Sequence, residues 1–250
     1  FDPRGANFAT PEVAKGFGPE NLNSYEGGIK TIWLDGRANT NIALFYSDYQ
    51  DMQIPGSVAI DTNKDGVNDS FVGTVTNAAQ STIKGIELEG NILFSDSWSM
   101  QFATSLLDAK IDRWIVNNVN VASQRKVQNT PESMAYVALT YSTELAGGLL
   151  SATANASHRG SVVQFEVPNP LIDQKSVTLM NASVYWTSSS GQLSLGLHGK
   201  NLTKEDVKTA GYCFGVASTG CGSSLGIENN VSVFYGAPRT VSATIEYRFR

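Results

Sequence analysis

The sequence has little charge, few cysteines and no long apolar run. Charged residues make up 16% of the 250 positions, whereas soluble domains average about 25%. The formal net charge of −5 and the pI near 5.1 exclude the basic stripe that a nucleic-acid partner requires. No run of about 18 apolar residues is present, which excludes a transmembrane helix. Transmembrane β-strands are not excluded by this absence, because they show only short alternating segments in a sequence.

Cysteine is confined to one stretch. Cys213 and Cys221 lie in "GYCFGVASTGC", which is rich in Gly, Ser and Thr. Two cysteines close together with none elsewhere predict a local disulfide in an oxidising compartment, and a pair of free thiols is the alternative. A metal site is disfavoured here, because no histidine or further cysteine stands nearby.

Alternation of apolar and polar residues runs through the chain. In "TVSATIEYRF", Val241, Ala243 and Ile245 alternate with serine, threonine and glutamate. Such a period of two is typical of a strand with two different faces. The pattern predicts about nine strands, each near the ten residues that a tilted membrane strand needs. They fall at 24–34, 41–50, 81–94, 98–107, 133–142, 149–160, 176–186, 193–201 and 240–250.

The connections between these strands alternate between short and long. The short ones are turns rich in Gly, Asn, Asp and Ser at 35–39, 95–97, 146–148 and 188–192. The long ones are polar stretches at 55–70, 115–131, 166–175 and 203–238. Strict alternation of short and long connections is typical of outer-membrane barrels, as are aromatic residues near strand ends. The sequence therefore predicts an all-β fold, an antiparallel transmembrane β-barrel.

Several motifs, in order, resemble the TonB-dependent outer-membrane receptors. "GPENLNSYEGGIK" and "NAAQSTIKGIELEG" are similar to two barrel strands of that family, "GKNLTKEDV" to a motif near its end and "YGAPRTVSATIEYRF" to its terminal strand. The matching positions are Pro19, Glu20, Tyr25, Glu26, Gly28, Lys30, Asn77, Ser81, Lys84, Gly85, Glu87 and Glu89.

The resemblance implies that residues 1–250 are the C-terminal portion of a receptor barrel domain. Family barrels have about 22 strands and are plugged, so we expect the plug domain and the energy-coupling box to lie outside this chain. The implied location is the outer membrane of a Gram-negative bacterium. The implied function is uptake of a scarce solute, of ferric siderophore, cobalamin or saccharide type, with energy coupled through TonB. The implied partners are outer-membrane lipid, the solute, and the TonB complex through the missing N-terminal region.

Ligand contacts are expected from the connections 55–70, 115–131 and 203–238, without assignment to single residues. A Cys213–Cys221 clasp would lower the entropic cost of ordering the last of these on binding. The inward-facing Glu87 and Glu89 would line a wet lumen and need no catalytic role.

A different chemistry is suggested by "DTNKDGVND" at 61–69. Asp61, Asn63, Asp65 and Asp69 follow the alternate spacing with which a calcium loop presents oxygen ligands around a glycine turn. Val72 stands where the bidentate glutamate would be, and no helix flanks the loop. A calcium site and a solvated Asp-Gly turn therefore both stay open. No other cofactor is expected.

Two rival functions remain at this point. The first is a small outer-membrane enzyme barrel, but the two histidines, His158 and His198, lie on different strands, and no G-x-S-x-G nucleophile motif is present. We expect both histidines to face the lumen, and we expect no enzyme. The second is a secreted calcium-dependent β-sandwich adhesin, which fits residues 61–69 but leaves the sorting of short and long connections unexplained.

Overall fold

The computed structural model describes residues 16–61, 63–67, 70–116, 118–214 and 230–249. Within these residues, two single turns of 3-10 helix, Leu34–Gly36 and Ala122–Gln124, accompany strands and connections. The strands are β1 Asn21–Trp33, β2 Ala38–Ile60, β3 Ser70–Leu93, β4 Trp98–Val116, β5 Val119–Asn120, β6 Ser133–Leu145, β7 Gly148–Arg159, β8 Val177–Ser188, β9 Leu193–Lys200, β10 Lys208–Phe214, β11 Asn230–Tyr235 and β12 Thr240–Tyr247.

Nine of these strands form one antiparallel path in the order β1-β2-β3-β4-β6-β7-β8-β9-β12. They coincide with the nine segments that the alternation predicts, so the fold class is confirmed. The short β5 pairs with β4, and β10 pairs with β11 in a separate hairpin. Within the described residues, β1 and β12 each pair with one neighbour, so the sheet is an open sector of a barrel. No helix in the described part is long and apolar enough to cross a membrane.

One face of the sheet is apolar across the whole path. Directly opposed residues share a face, and Ile42 lies opposite both Ile29 on β1 and Leu88 on β3. At the other end of the path, Leu197 lies opposite Val184 and Ala243. Leu197 remains 55% exposed, as lipid contact requires. This face has the composition of a barrel wall that meets the hydrocarbon of a membrane.

The opposite face is polar. Lys30, Asn41 and Glu89 follow one another across β1, β2 and β3 in directly opposed positions, and Asn41 Nδ2 donates to Glu89 Oε1 at 2.9 Å. His198 also lies on this inner face, opposite Ser183. His158 does not, because it opposes Ala135 and therefore shares the outer, apolar face. The expectation that both histidines face the lumen is right for His198 and wrong for His158.

Aromatic side chains gather where the short turns lie. Trp98 and Tyr141 have ring centroids 4.8 Å apart, and Trp186 Nε1 donates to the carbonyl of Leu145 at 2.8 Å. Amphipathic rings of this kind occupy the interface between hydrocarbon and water. The predicted aromatic girdle is therefore confirmed, and it marks one boundary of the apolar layer.

The long connections differ from the sequence prediction. Part of 55–70 is strand, because β2 continues to Ile60 and β3 begins at Ser70, with Val58 opposite Val72. Pro55 and Gly56 suggested a loop, yet the β-branched residues around them favour a ladder. The range 203–238 likewise contains the β10–β11 hairpin, and 115–131 contains the end of β4 and all of β5.

Glycine allows close contact between strands on the inner face. The Phe45 ring lies beside Gly85, and a Cβ built on Gly85 would come within 2.9 Å of Phe45 Cζ and 2.5 Å of the Leu106 carbonyl oxygen. The second atom belongs to the backbone and has no freedom to move aside. The glycine that follows Lys84 in the strand motif is therefore a packing requirement.

We predict that Gly85→Ala destabilises the folded protein by about 1–3 kcal/mol, since overpacking forces the strands apart. The measurement is thermal unfolding of the detergent-solubilised protein. The matched control is Gly27→Ala, because nothing lies within 4 Å of a Cβ at that position, and the control keeps or raises the unfolding temperature. Equal unfolding temperatures for the two variants would contradict the packing argument.

Candidate functional site

The long connections meet at the end of the sheet opposite the aromatic girdle. Lys126 N–H donates to the Glu166 carbonyl at 2.8 Å, and Asn129 N–H donates to the Val163 carbonyl at 3.0 Å. These two bonds join the β4–β6 connection to the β7–β8 connection. We call the joined connections, together with the β10–β11 hairpin, the outer rim.

The β10–β11 hairpin is fastened to the same rim. Lys208 Nζ donates to the carbonyl of Leu171 at 2.7 Å, and the Lys208 N–H donates to Gln174 Oε1 at 2.6 Å. Ile172 is 2% exposed, and a Cβ on Gly211 would lie 2.7 Å from the Ile172 Cβ. The hairpin therefore rests directly on the β7–β8 connection and holds a fixed position beside it.

Three of the exposed aromatic rings on the rim lie close together. The ring of Tyr212 lies 6.1 Å from that of Phe165 and 6.3 Å from that of Phe234, measured between centroids. Their exposed fractions are 40% for Phe165, 49% for Tyr212 and 54% for Phe234. Rings at these distances offer a continuous apolar surface that a solute can contact.

Beneath the rim, a small apolar cluster lies against the upper parts of β3 and β4. Its buried members are Ala79, Ile111, Trp114 and Ala122. The Arg125 guanidinium lies over the Trp114 ring, 5.4 Å from the centroid. This cluster fixes the β4–β6 connection to the sheet, so the rim has a packed base.

Hydrogen bonds hold the start of β1 to β2 and β3 at the level of this apolar cluster. Asn77 Nδ2 donates to the carbonyls of Gly18 and Asp51, at 3.0 and 2.8 Å. Glu20 Oε1 accepts the hydroxyl of Tyr49 at 2.8 Å, and this hydrogen bond raises the pKa of the Tyr49 hydroxyl above its ordinary value. Glu20 and Asn77 belong to the family-like motifs, and the structure shows that they hold strands together.

Two cavities accompany these features. One, of 540 Å³, lies beside β4 and is bordered by the β4–β6 and β7–β8 connections. The other, of 890 Å³, lies along the polar inner face and is bordered by Glu26, Lys30, Glu87 and Glu89. Both volumes fall in the range of small-molecule sites. Glu87 and Glu89 thus face inward, as the alternation predicts.

The calcium-like turn is described in part. Asp61 Oδ1 accepts the N–H of Lys64 at 2.6 Å, and Asp61 Oδ2 accepts the N–H of Gly66 at 2.6 Å. Asp65 Oδ2 accepts from Asn63 Nδ2 at 3.1 Å. Asp69 lies outside the described residues. Among the described residues, no group of three or more His, Cys, Asp or Glu side chains could hold a metal ion. Calcium binding here stays a prediction.

The predicted disulfide also stays a prediction. Cys213 lies on β10, and Cys221 lies outside the described residues. Sequence reasoning located the ranges that form the rim but missed its particular residues. Lys208 and Arg125 carry no local signal, because their roles depend on carbonyls and a ring that are distant in the sequence.

Comparison with known proteins gives a family and a fold. A family model described as TonB dependent receptor-like, beta-barrel matches residues 2–202. The ferric yersiniabactin uptake receptor FyuA from Yersinia pestis is similar to 92% of this chain, with a TM-score of 0.68 and 18% identity. The ferric-catecholate import receptor Fiu from E. coli K12 is similar to 98% of it, with a TM-score of 0.63 and 19% identity. The chain covers 30% of each of these two receptors.

We predict that Lys208→Met releases the hairpin from the rim, since it removes a charged donor from the Leu171 carbonyl. A loss of about 1 kcal/mol raises the opened population of the hairpin roughly five-fold. Limited proteolysis should then cleave the 208–235 region about five-fold faster. The control is Lys200→Met on the inner face, which leaves the cleavage rate unchanged. Equal rates in the two variants would show that the Lys208 ammonium does not hold the hairpin.

Proposed function

The chain belongs to the TonB-dependent receptor family, and from this membership we propose that it forms part of a receptor that takes up a scarce solute with energy supplied through TonB. Members of the family are outer-membrane proteins of Gram-negative bacteria. The family consists of receptors and transporters and is not enzymatic. In this proposal the nine-stranded sector is barrel wall, and the outer rim takes part in capture of the solute.

The proposal rests on where apolar residues, polar residues and long connections lie in the structure. The outer face of the sheet is apolar, the inner face is polar, and the long connections meet at one end with exposed rings. A closed barrel is the structure that satisfies all strand backbone groups in lipid. Phe165, Tyr212 and Phe234 then offer contacts to a solute that arrives from outside.

The polar composition of the inner wall supports a role in passage of the solute. Glu26, Glu87 and Glu89 border the 890 Å³ groove together with Lys30. A polar wall of this kind accommodates water, a plug domain or a moving solute, whereas a sandwich core would be apolar. This difference in the inner face argues against the adhesin alternative.

The solute is of ferric siderophore, cobalamin or saccharide type in this proposal. FyuA is a ferric yersiniabactin uptake receptor and Fiu is a ferric-catecholate import receptor, which supports the first of these types. We extend the proposal to a Cys213–Cys221 clasp on the hairpin connection. We also extend it to a calcium ion held by Asp61, Asn63, Asp65 and Asp69, which would stiffen the tip of the β2–β3 hairpin.

The test is uptake by cells that carry or lack the complete receptor gene. Radiolabelled probes are a ferric catecholate, a ferric hydroxamate, cobalamin and a maltooligosaccharide. We expect one probe to accumulate at least ten-fold more slowly without the gene. A protonophore should abolish accumulation and leave surface binding intact, because energy is needed for passage and not for capture. The control strain carries the Gly27→Ala receptor and accumulates the probe normally.

Two results would overturn the proposal. The first is equal accumulation of all four probes in both strains. The second is a probe that enters liposomes through the purified receptor alone, with no TonB and no energy source, since that behaviour belongs to an open pore.

A further inference from the structure

Strand β4 extends beyond its partner on one side. It pairs with β6 only from Trp98↔Tyr141 to Leu106↔Ser133, although β4 itself continues to Val116. On its other side, β4 stays paired with β3 as far as Trp114↔Ala79. Its upper half therefore has one edge that faces the outer rim instead of another long strand.

The direction of the backbone groups along this edge follows from its hydrogen bonds. Leu107 N–H donates to the Glu132 carbonyl at 2.9 Å on the β6 side. Alternate residues of an antiparallel strand direct their N–H and C=O groups to the same side. Ala109 and Ile111 therefore direct theirs to the β6 side as well. Within the described part of the chain, no backbone hydrogen bond to the rim satisfies either residue on that side.

The 540 Å³ cavity lies against this edge. Leu107, Ala109 and Ile111 border it on the β4 side, and Val162 and Pro170 border it from the β7–β8 connection. An unpaired strand edge is a template for a further strand. Here the template is short, and the rim limits what can reach it to a segment of a few residues.

The cavity also carries a cation with an unpaired hydrogen-bond donor. Arg125 borders it, and Arg125 Nε is buried with no hydrogen-bond partner. Two other cations at the cavity are paired, since Lys126 lies 3.7 Å from Glu132 and Lys110 lies 3.6 Å from Asp112. Lys175 borders the cavity as an exposed side chain, whereas Arg125 offers a buried donor that can receive a carboxylate.

We propose that this cavity binds a short extended peptide that carries a carboxylate. Its backbone pairs with β4 at Ala109 and Ile111, and its carboxylate binds Arg125. Strand addition supplies affinity through main-chain hydrogen bonds, and the cation supplies specificity. The inference goes beyond the proposed function, because it assigns to the outer rim a second ligand, acidic and peptidic, beside the transported solute.

The first experiment measures binding to the purified complete receptor by fluorescence anisotropy. The probe is a fluorescein-labelled tetrapeptide with an amidated C-terminus, Ala-Val-Ala-Glu amide, so that the glutamate supplies the carboxylate. Two comparison probes are the same peptide with a lysine in place of the glutamate and the same peptide with its backbone nitrogens methylated. We expect saturable binding of the first probe, with at least ten-fold weaker binding of each comparison probe.

The second experiment changes the receptor. Arg125→Gln should weaken binding of the acidic peptide at least ten-fold, and Arg125→Lys should restore part of it. Arg113→Gln on the exposed part of β4 is the matched control and leaves binding unchanged. Ala109→Pro removes an edge N–H that faces away from β3, so no sheet hydrogen bond is lost, and it should weaken the parent peptide but not the methylated one.

The outcomes separate the inference from the proposed function. The inference is overturned if the parent and methylated peptides bind equally. It is also overturned if the Arg125→Gln and Arg113→Gln receptors bind the acidic peptide equally. Neither result changes the uptake results. Absence of saturable peptide binding in a receptor that still accumulates one of the four uptake probes also overturns the inference alone. Peptide binding in a receptor that fails the uptake test supports a peptide site and refutes transport.

Discussion

The structure depends on the requirement that backbone polar groups in lipid be paired within the protein. A continuous antiparallel ladder meets this requirement between β1 and β12, since the inner strands of the path find backbone partners on both sides within the lipid-facing part. The same ladder forces side chains to alternate between two environments. Ile42 and Leu88 therefore face hydrocarbon, while the adjacent Asn41 and Glu89 exchange a hydrogen bond on the wet side. A register slip of one residue would exchange both faces at once.

Above the lipid this requirement is relaxed, and the structure becomes irregular there. Water and side chains can satisfy backbone groups, so β4 extends past β6, β2 takes a bulge at Asp51, and β10 and β11 leave the main sheet. Rigidity then comes from particular contacts. Lys208 on the Leu171 carbonyl and Arg125 over Trp114 hold connections that no ladder holds. The rim can vary in sequence without loss of the wall, which suits the part in solute capture that we propose for it.

The sequence predicted the wall well because the wall has a period. Alternation located all nine long strands and the inward Glu87 and Glu89, since each residue's face follows from its parity. The expectation of a lumen-facing His158 was wrong because it set this parity aside. His158 follows Ala154 and Ala156 on the outer face, where it bonds to Thr178 at 3.0 Å. Alternation missed Arg125 and the β4 edge for a different reason. The β4 edge is unpaired because β6 begins opposite the middle of β4. That offset is set by the folded β4–β6 connection, which shows no local pattern in the sequence.

The central claim is that one face of this sheet meets lipid and the other meets water. The most direct measurement attaches a nitroxide at each position from 180 to 185 on β8 in turn, in the complete receptor reconstituted in bilayers. The relative accessibility to oxygen and to a water-soluble nickel complex is then read at each position. The account predicts high oxygen accessibility at 180, 182 and 184 and high nickel accessibility or burial at 181, 183 and 185. Uniform accessibility along β8, or the opposite phase, would contradict it.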